Sequence, residues 1–347
     1  MIAALTAAAS QLAAAGASAT TPETSSGWVA ATMPSTTRGG ALPTALAGAL
    51  PSISSGNAPA ITAAPTTDAV GPGGSVTEEP TMTVEPSVDG ALPTASGVLA
   101  PDAFTGVPEG AVLTPRSGNI TITTAGFVLQ NVDLQGCLLI RAADVVIRNS
   151  RITCGRPPGL AAVQTGTGAL RVLLEDSEID GMGTAQIGLG YSNITARRVE
   201  IRNTNDGLRA GSDVVVENSW IHDMARQGDL HPDAIQSTGG TNITIRGNHL
   251  DPYTNATGDL VNAAIMLGSE LTSTGLNNVL VENNYLNGGN YTVNMRGDTV
   301  FSNVIFRNNV FGSRSRYGPF QAPVTLIVDA TNILSSTGTT FRVNPAR

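Results

Sequence analysis

The chain has no lysine: all nineteen of its basic residues are arginine, set against twenty-seven acids for a net charge of −8. That balance, with no basic run, excludes the electrostatic footprint of a nucleic-acid partner. No stretch carries eighteen uninterrupted apolar residues, so no helical membrane span is predicted. Cys137 and Cys154 are the only cysteines, too few for a thiolate metal site. They leave two readings open, a disulfide between neighbouring repeats or two buried thiols. Aromatic residues are scarce, and Trp28 is the only one in the first hundred positions.

That region holds just seven charged residues amid Ala, Thr, Ser, Pro and Gly, too little apolar bulk to offset the entropy of ordering a backbone. Residues 20–103 therefore read as a disordered low-complexity linker. Residues 1–19 (MIAALTAAASQLAAAGASA) end in Ala-Ser-Ala but lack a basic start. They read either as an export signal or as more Ala-rich linker. Export suits the long Thr/Pro/Ser tether, so a secreted or cell-surface protein is expected.

What is abundant is an eight-residue pattern, VVVENSWI at residues 214–221, with seven more copies starting at Phe127, Val145, Val172, Ile194, Ile243, Val279 and Val304. Positions one, three and eight are mostly apolar and position four is polar, the alternation of a half-buried strand. The fourth position runs Gln130, Arg148, Glu175, Arg197, Glu217, Arg246, Glu282, Arg307. Parallel, in-register stacking in this order sets opposite charges side by side, whereas like charges would repel. The fifth position is Asn in five copies and Asp in a sixth, which predicts a turn there with an asparagine ladder at the corner. A repeat that cannot bury its own apolar face must stack on its copies.

A second strand precedes most octets: CLLIRA (137–142), AAVQTG (161–166), AQIGLG (185–190), DGLRAG (206–211), DAIQST (233–238), AAIMLG (263–268) and YTVNMR (291–296). Octet starts lie 18, 27, 22, 20, 29, 36 and 25 residues apart, so insertions must absorb the variation. They cluster after the octets, on one side. Residues 106–124 read as capping strands, and residues 324–328 and 340–343 as closing strands. The domain is expected to span residues 104–347.

The alternation of I-x-I-x-N-N/S octets with D-G-I-x-like strands resembles the right-handed parallel β-helix proteins of the pectate-lyase-like superfamily, which includes secreted bacterial and phage-tail proteins. The resemblance covers about residues 104–347. It implies an all-β, single-stranded solenoid, carbohydrate as the substrate class, a virion-associated location as an alternative, and a monomer or homotrimer. Lyases, hydrolases and non-catalytic adhesins all use this fold, so it leaves the reaction open. Residues 203–207 (NTNDG) resemble the N-T-D-G element of polygalacturonase-like hydrolases, with an extra Asn205. Their R-I-K element has no counterpart in a chain without lysine.

All three histidines, His222, His231 and His249, fall within twenty-eight residues, beside Trp220, Asp223, Arg226, Asp233 and Tyr253. Rings and polar groups of this kind bind sugars by stacking and hydrogen bonding. Asp206 and Asp233 begin strands on successive coils, so their carboxylates are expected roughly 5 Å apart, a spacing that pushes one pKa upward and separates an acid from a base. The expected catalytic residues are Asp206, His222, His231 and Asp233. Arg209, Trp220, Asp223, Arg226, His249, Tyr253 and Arg296 are expected to bind substrate. No cofactor is expected; the family's use of Ca²⁺ leaves Asp206, Asp223 and Asp233 as the one set that could take it. The function expected is a polysaccharide lyase or glycoside hydrolase, with a non-catalytic glycan-binding module as the alternative.

Overall fold

The computed structural model describes residues 104–268 and 274–346; the segments 1–19 and 20–103 lie outside the described residues. No α-helix occurs among them, and the strands form an eight-stranded and an eighteen-stranded sheet whose pairings are all parallel. This is the expected all-β parallel solenoid.

Each octet proves to be two strand segments around a corner. Positions one to four lie in the eight-stranded sheet, as in Val214–Glu217, and the last positions start the next side, as in Trp220–His222. The eighteen-stranded sheet supplies two sides of every coil. One, here the exit side, follows the octet corner; the other, the return side, carries Leu138–Ile140, Ala161–Thr165, Asp233–Ser237, Ala263–Leu267 and Tyr291–Met295. In the coils of Glu178–Tyr191 and Glu200–Ala210 one long strand runs through both sides. Residues 114–117 and 120–122 cap the N-terminal end as strands.

The charge ladder sets the register of the octet sheet. Gln130, Arg148, Glu175, Arg197, Glu217, Arg246, Glu282 and Arg307 are successive Cα partners. Glu217 bridges Arg197 and Arg246 at 2.7 and 2.5 Å, and Arg307 meets Glu282 at 2.7 Å. Such half-exposed pairs contribute roughly 0.2–1 kcal/mol each. Most of the stability comes from the interior columns, such as Ile152, Ile179, Ile201, Ile221, Leu250, Leu286 and Phe311, all buried. Full burial of a side chain of this size is worth about 1.5–3 kcal/mol.

The corner differs from expectation by one residue. Asn131, Asn149, Asp176, Arg198, Asn218, Asn283 and Asn308 all have φ between 46° and 56°, the left-handed region that Asn tolerates best after Gly. The hydrogen-bonded ladder is built by the next residue instead. Ser150, Ser177, Ser219, Asn248, Asn284, Asn309 and Asn332 are buried in the bend. Each accepts the backbone N–H of the preceding coil, as Asn284 Oδ1 does from Asn248 at 2.9 Å and Asn309 Oδ1 from Asn284 at 3.0 Å. The left-handed residue turns its own side chain outward, and the one after it faces backbone donors that no strand satisfies.

Cys137 and Cys154, left open in the sequence, are joined by a disulfide across neighbouring coils, Cα–Cα 5.1 Å. The expected closing strands at 324–328 and 340–343 do not form; the C-terminal pairings are made by Ile333–Leu334 and Asn344–Pro345. Phe341 instead packs its ring 4.7 Å from Phe311, beside Phe320 and Phe306, and seals the core by aromatic contact.

Candidate functional site

On the exit side the eighth octet residue points inward, so the seventh points out. This outer column runs Asp133, Arg151, Glu178, Glu200, Trp220, His249, Tyr285, Val310 in unbroken register. Its N-terminal half is charged. Arg151 pairs with Glu178 at 2.8 Å, and Arg202 reaches Glu200, Asp180 and Glu178 at 2.5, 3.3 and 3.7 Å. A strap crosses this half: Gly106 N–H donates to the Arg198 carbonyl, and a Cβ at Gly106 would stand 3.0 Å from Glu178 Cγ and 3.1 Å from Glu200 Oε2. With φ +79° as well, the position suits only glycine.

Past Glu200 the column becomes aromatic. Trp220, His249 and Tyr285 are all half-buried. Their ring centroids lie 6.5 Å apart between Trp220 and His249 and 4.6 Å apart between His249 and Tyr285. Three rungs at the inter-strand spacing make a stripe roughly 10 Å long. One step along each strand's outer face lie His222, Asp251 and Asn287. His222 stacks on Trp220, centroids 3.5 Å apart and planes 14° from parallel. Its Nδ1 faces Asp223 Oδ2 at 2.8 Å and its Nε2 faces Glu200 Oε1 at 3.1 Å. Both nitrogens are engaged, so His222 braces the Trp220 ring. Burial disfavours the charged forms of Glu200 and Asp223, but hydrogen bonds outweigh it and hold both carboxyls below the usual range; His222 and Arg202 supply them to Glu200, and Asn255 and His222 to Asp223.

The far edge of the stripe is built by insertions. Arg314 lies 4.6 Å from the centroid of the Tyr253 ring and donates to Asp251 Oδ2 at 3.1 Å, which Asn287 also contacts at 3.1 Å. Burial, and then the Asp251 charge, raise the Tyr285 phenol above its ordinary value, against the pull of Arg314.

Asp206 and Asp233 sit on the return side. The register Leu208↔Ile235 makes them successive rungs, and Asp233 N–H donates to Asp206 Oδ1 at 3.3 Å. Both are buried, at 1% and 0% exposure. Asp206 Oδ2 is held by Arg209 at 2.5 Å; Asp233 accepts from Gln236 at 3.2 Å and from Asn262, an insertion residue, at 2.8 Å. Burial raises both carboxyls, and the Asp206 charge pushes Asp233 well above the carboxylate range. Tyr191, half-buried and raised mainly by burial, is close enough to feel both Asp206 and Arg209.

The expected residues thus divide into two groups. Trp220, His222, Asp223, His249 and Tyr253 meet on the exit side, and Asp206, Arg209 and Asp233 on the return side. Arg226 belongs to the insertion between them, clamped to Asp259 at 2.6 Å and to the Leu230 carbonyl at 2.9 Å. His231 is exposed, next to buried Pro232. Arg296 follows the strand Tyr291–Met295 and pairs with Asp298 at 2.7 Å, apart from both groups. Among the described residues no group of three or more His, Cys, Asp or Glu is placed to hold a metal ion, and Asp223 lies on the exit side while Asp206 and Asp233 lie on the return side. Tyr285, Asn287, Arg314 and Asn262 were not anticipated. Each had a partial signal: Tyr285 by its seventh place in an octet, and Asn262, Asn287 and Arg314 by falling in the insertions 251–262, 287–290 and 312–323 that follow octets. A separate cavity of about 400 Å³ opens on the N-terminal coils, lined by Ile120, Leu139, Arg141, Gly159 and Gln164 among others.

Compared with known proteins, the chain matches no family model, no curated protein and no solved structure.

Proposed function

We propose that this is an extracellular carbohydrate-active β-helix that binds a polysaccharide along the exit-side stripe, within the pectate-lyase-like class of solenoids. The observation that carries this is the half-buried run Trp220–His249–Tyr285, braced by His222 and edged by Tyr253 and Arg314. Aromatic rings inclined to one another by 72° and 48° along the stripe, bordered by hydrogen-bonding groups, offer faces and edges to a sugar ring, which has apolar faces and a polar rim. The Cys137–Cys154 disulfide supports an oxidising, extracellular setting. Incubating the full chain with a polysaccharide panel, and measuring retention on each polymer, new reducing ends and unsaturated uronate absorbance, tests the reading. Retention that is lost in Trp220→Ala is expected; unchanged retention in that variant sinks the assignment.

A second reading adds catalysis, with Asp206 and Asp233 as the acid and base. It is favoured by their in-register pairing and raised carboxyls. Paired carboxylates with separated pKa values are the apparatus of glycoside hydrolysis. A substrate must displace Arg209 and Asn262 to reach them. Loss of product in both Asp206→Asn and Asp233→Asn with polymer binding intact would support it; absence of any product from the wild type would leave a binding module.

A further inference from the structure

The exit-side stripe also carries information about the charge of what lies on it. At the stripe and the coil that adjoins it stand three carboxylates, Glu200, Asp223 and Asp251, against two arginines, Arg202 and Arg314, and the charged half beyond adds Asp133, Glu178 and Asp180 against Arg151. Those arginines are already committed. Arg151 is held by Glu178, Arg202 by Glu200 and Asp180, and Arg314 by Asp251 and the face of Tyr253. Arg226, in the insertion beside the stripe, is clamped to Asp259, and Arg316 adds its charge next to that same pair. Asp251 Oδ1 is buried with no hydrogen-bond partner in the structure, an additional acceptor at the stripe's edge. A uronate carboxylate arriving here meets an excess of like charge and arginines already paired, at distances where repulsion in a partly desolvated site is strong. A hydroxyl group of an uncharged sugar meets instead an acceptor with no donor of its own, Asp251 Oδ1.

We infer that the glycan bound on the Trp220–His249–Tyr285 stripe is uncharged, a neutral polysaccharide and not a polyuronate. This rests on the glycan-binding reading above. It has a chemical corollary. β-Elimination requires a carboxyl group beside the C5–H bond to acidify the proton that the base removes. A neutral sugar lacks it, so any cleavage must be hydrolysis: water adds OH to the anomeric carbon and H to the departing glycosidic oxygen as the C–O bond between them breaks.

The test is calorimetric titration of the full chain with length-matched oligosaccharides, neutral gluco-, manno- and xylo-oligomers against oligogalacturonate and oligoalginate, at low and high salt. At least one neutral series should bind at least tenfold tighter than either uronate. Uronate affinity should rise with salt as the repulsion is screened, and should rise in Asp251→Asn or Glu200→Gln. Equal or tighter uronate binding, weakening with added salt, would overturn the inference while leaving the glycan-binding reading standing. Failure of every oligomer to bind would overturn that reading and the inference with it.

Discussion

One outward column on the exit side has two halves with different chemistry. From Asp133 to Glu200 it is charged and crossed by the Gly106 strap, whereas from Trp220 to Tyr285 it is aromatic and edged by insertions. The backbone slot is the same in both, with parallel pairing in continuous register and an inward apolar neighbour. The solenoid therefore dictates where a side chain points but not what it is. The charged half pairs within itself through Arg151 and Arg202 and keeps an excess of acid, and the rings lie where insertions supply Tyr253 and Arg314.

Substitutions should divide along that line. Trp220→Ala removes the first ring of the stripe and the surface on which His222 stacks, and glycan affinity should fall by about thirtyfold or more, the size of a binding hot spot. Glu178→Gln in the charged half should change it less than about threefold. Isothermal titration of both variants measures the contrast, and equal losses would erase the distinction between the halves.

The corner sharpens the comparison on the stability side. Asn284 accepts from Asn248 and donates to the Ile245 carbonyl and to Asn309. Asn284→Ala orphans buried groups at about 1–3 kcal/mol each, so the protein should lose roughly 2–4 kcal/mol in urea unfolding. Its neighbour Asn283 needs only a left-handed backbone, and Asn283→Gly should be nearly neutral.

Much of this was legible in the sequence for physical reasons. The alternation at octet position four supported stacking in chain order, because that order sets opposite charges side by side. The Asn run marked the corner, although the αL requirement at position five masked the ladder at position six, where Ser and Asn both serve. The site was legible only in part. Trp220 and the histidines stood out by rarity, but they were pooled with Asp206 and Asp233, since linear proximity does not say which side of a coil a residue occupies. Arg314 and Asn262 come from insertions of irregular length, where no period applies. Residues 324–328 alternate like a strand, yet end packing around Phe341 takes precedence over pairing.

The return side offers a smaller effect with a definite sign. Burial and the neighbouring Asp206 raise Asp233 in the folded state, so the folded protein binds protons that the unfolded chain releases. Stability is full below the ordinary carboxylate pKa and declines as pH rises through the folded value. Asp233→Asn should flatten that slope and raise Tm by about 2–4 °C at neutral pH while leaving acid stability alone. An unchanged pH profile in thermal melts would mean that Asp233 is not the group responsible. Smallest of all, Glu282→Gln in the octet ladder removes the acid beside Arg307 and should cost less than about 1 kcal/mol, vanishing in high salt.

The central claim, that the aromatic half of the exit side is where glycan lies, has a direct probe. The chain has two tryptophans, Trp28 and Trp220, so a full-length Trp28→Phe variant reports through Trp220 alone. Titrating it with the oligosaccharide that binds should produce a saturable change in Trp220 fluorescence with the same Kd as calorimetry, shifted to weaker binding in a Tyr285→Ala background. Binding detected by calorimetry while Trp220 fluorescence stays constant would place the glycan elsewhere and contradict the account.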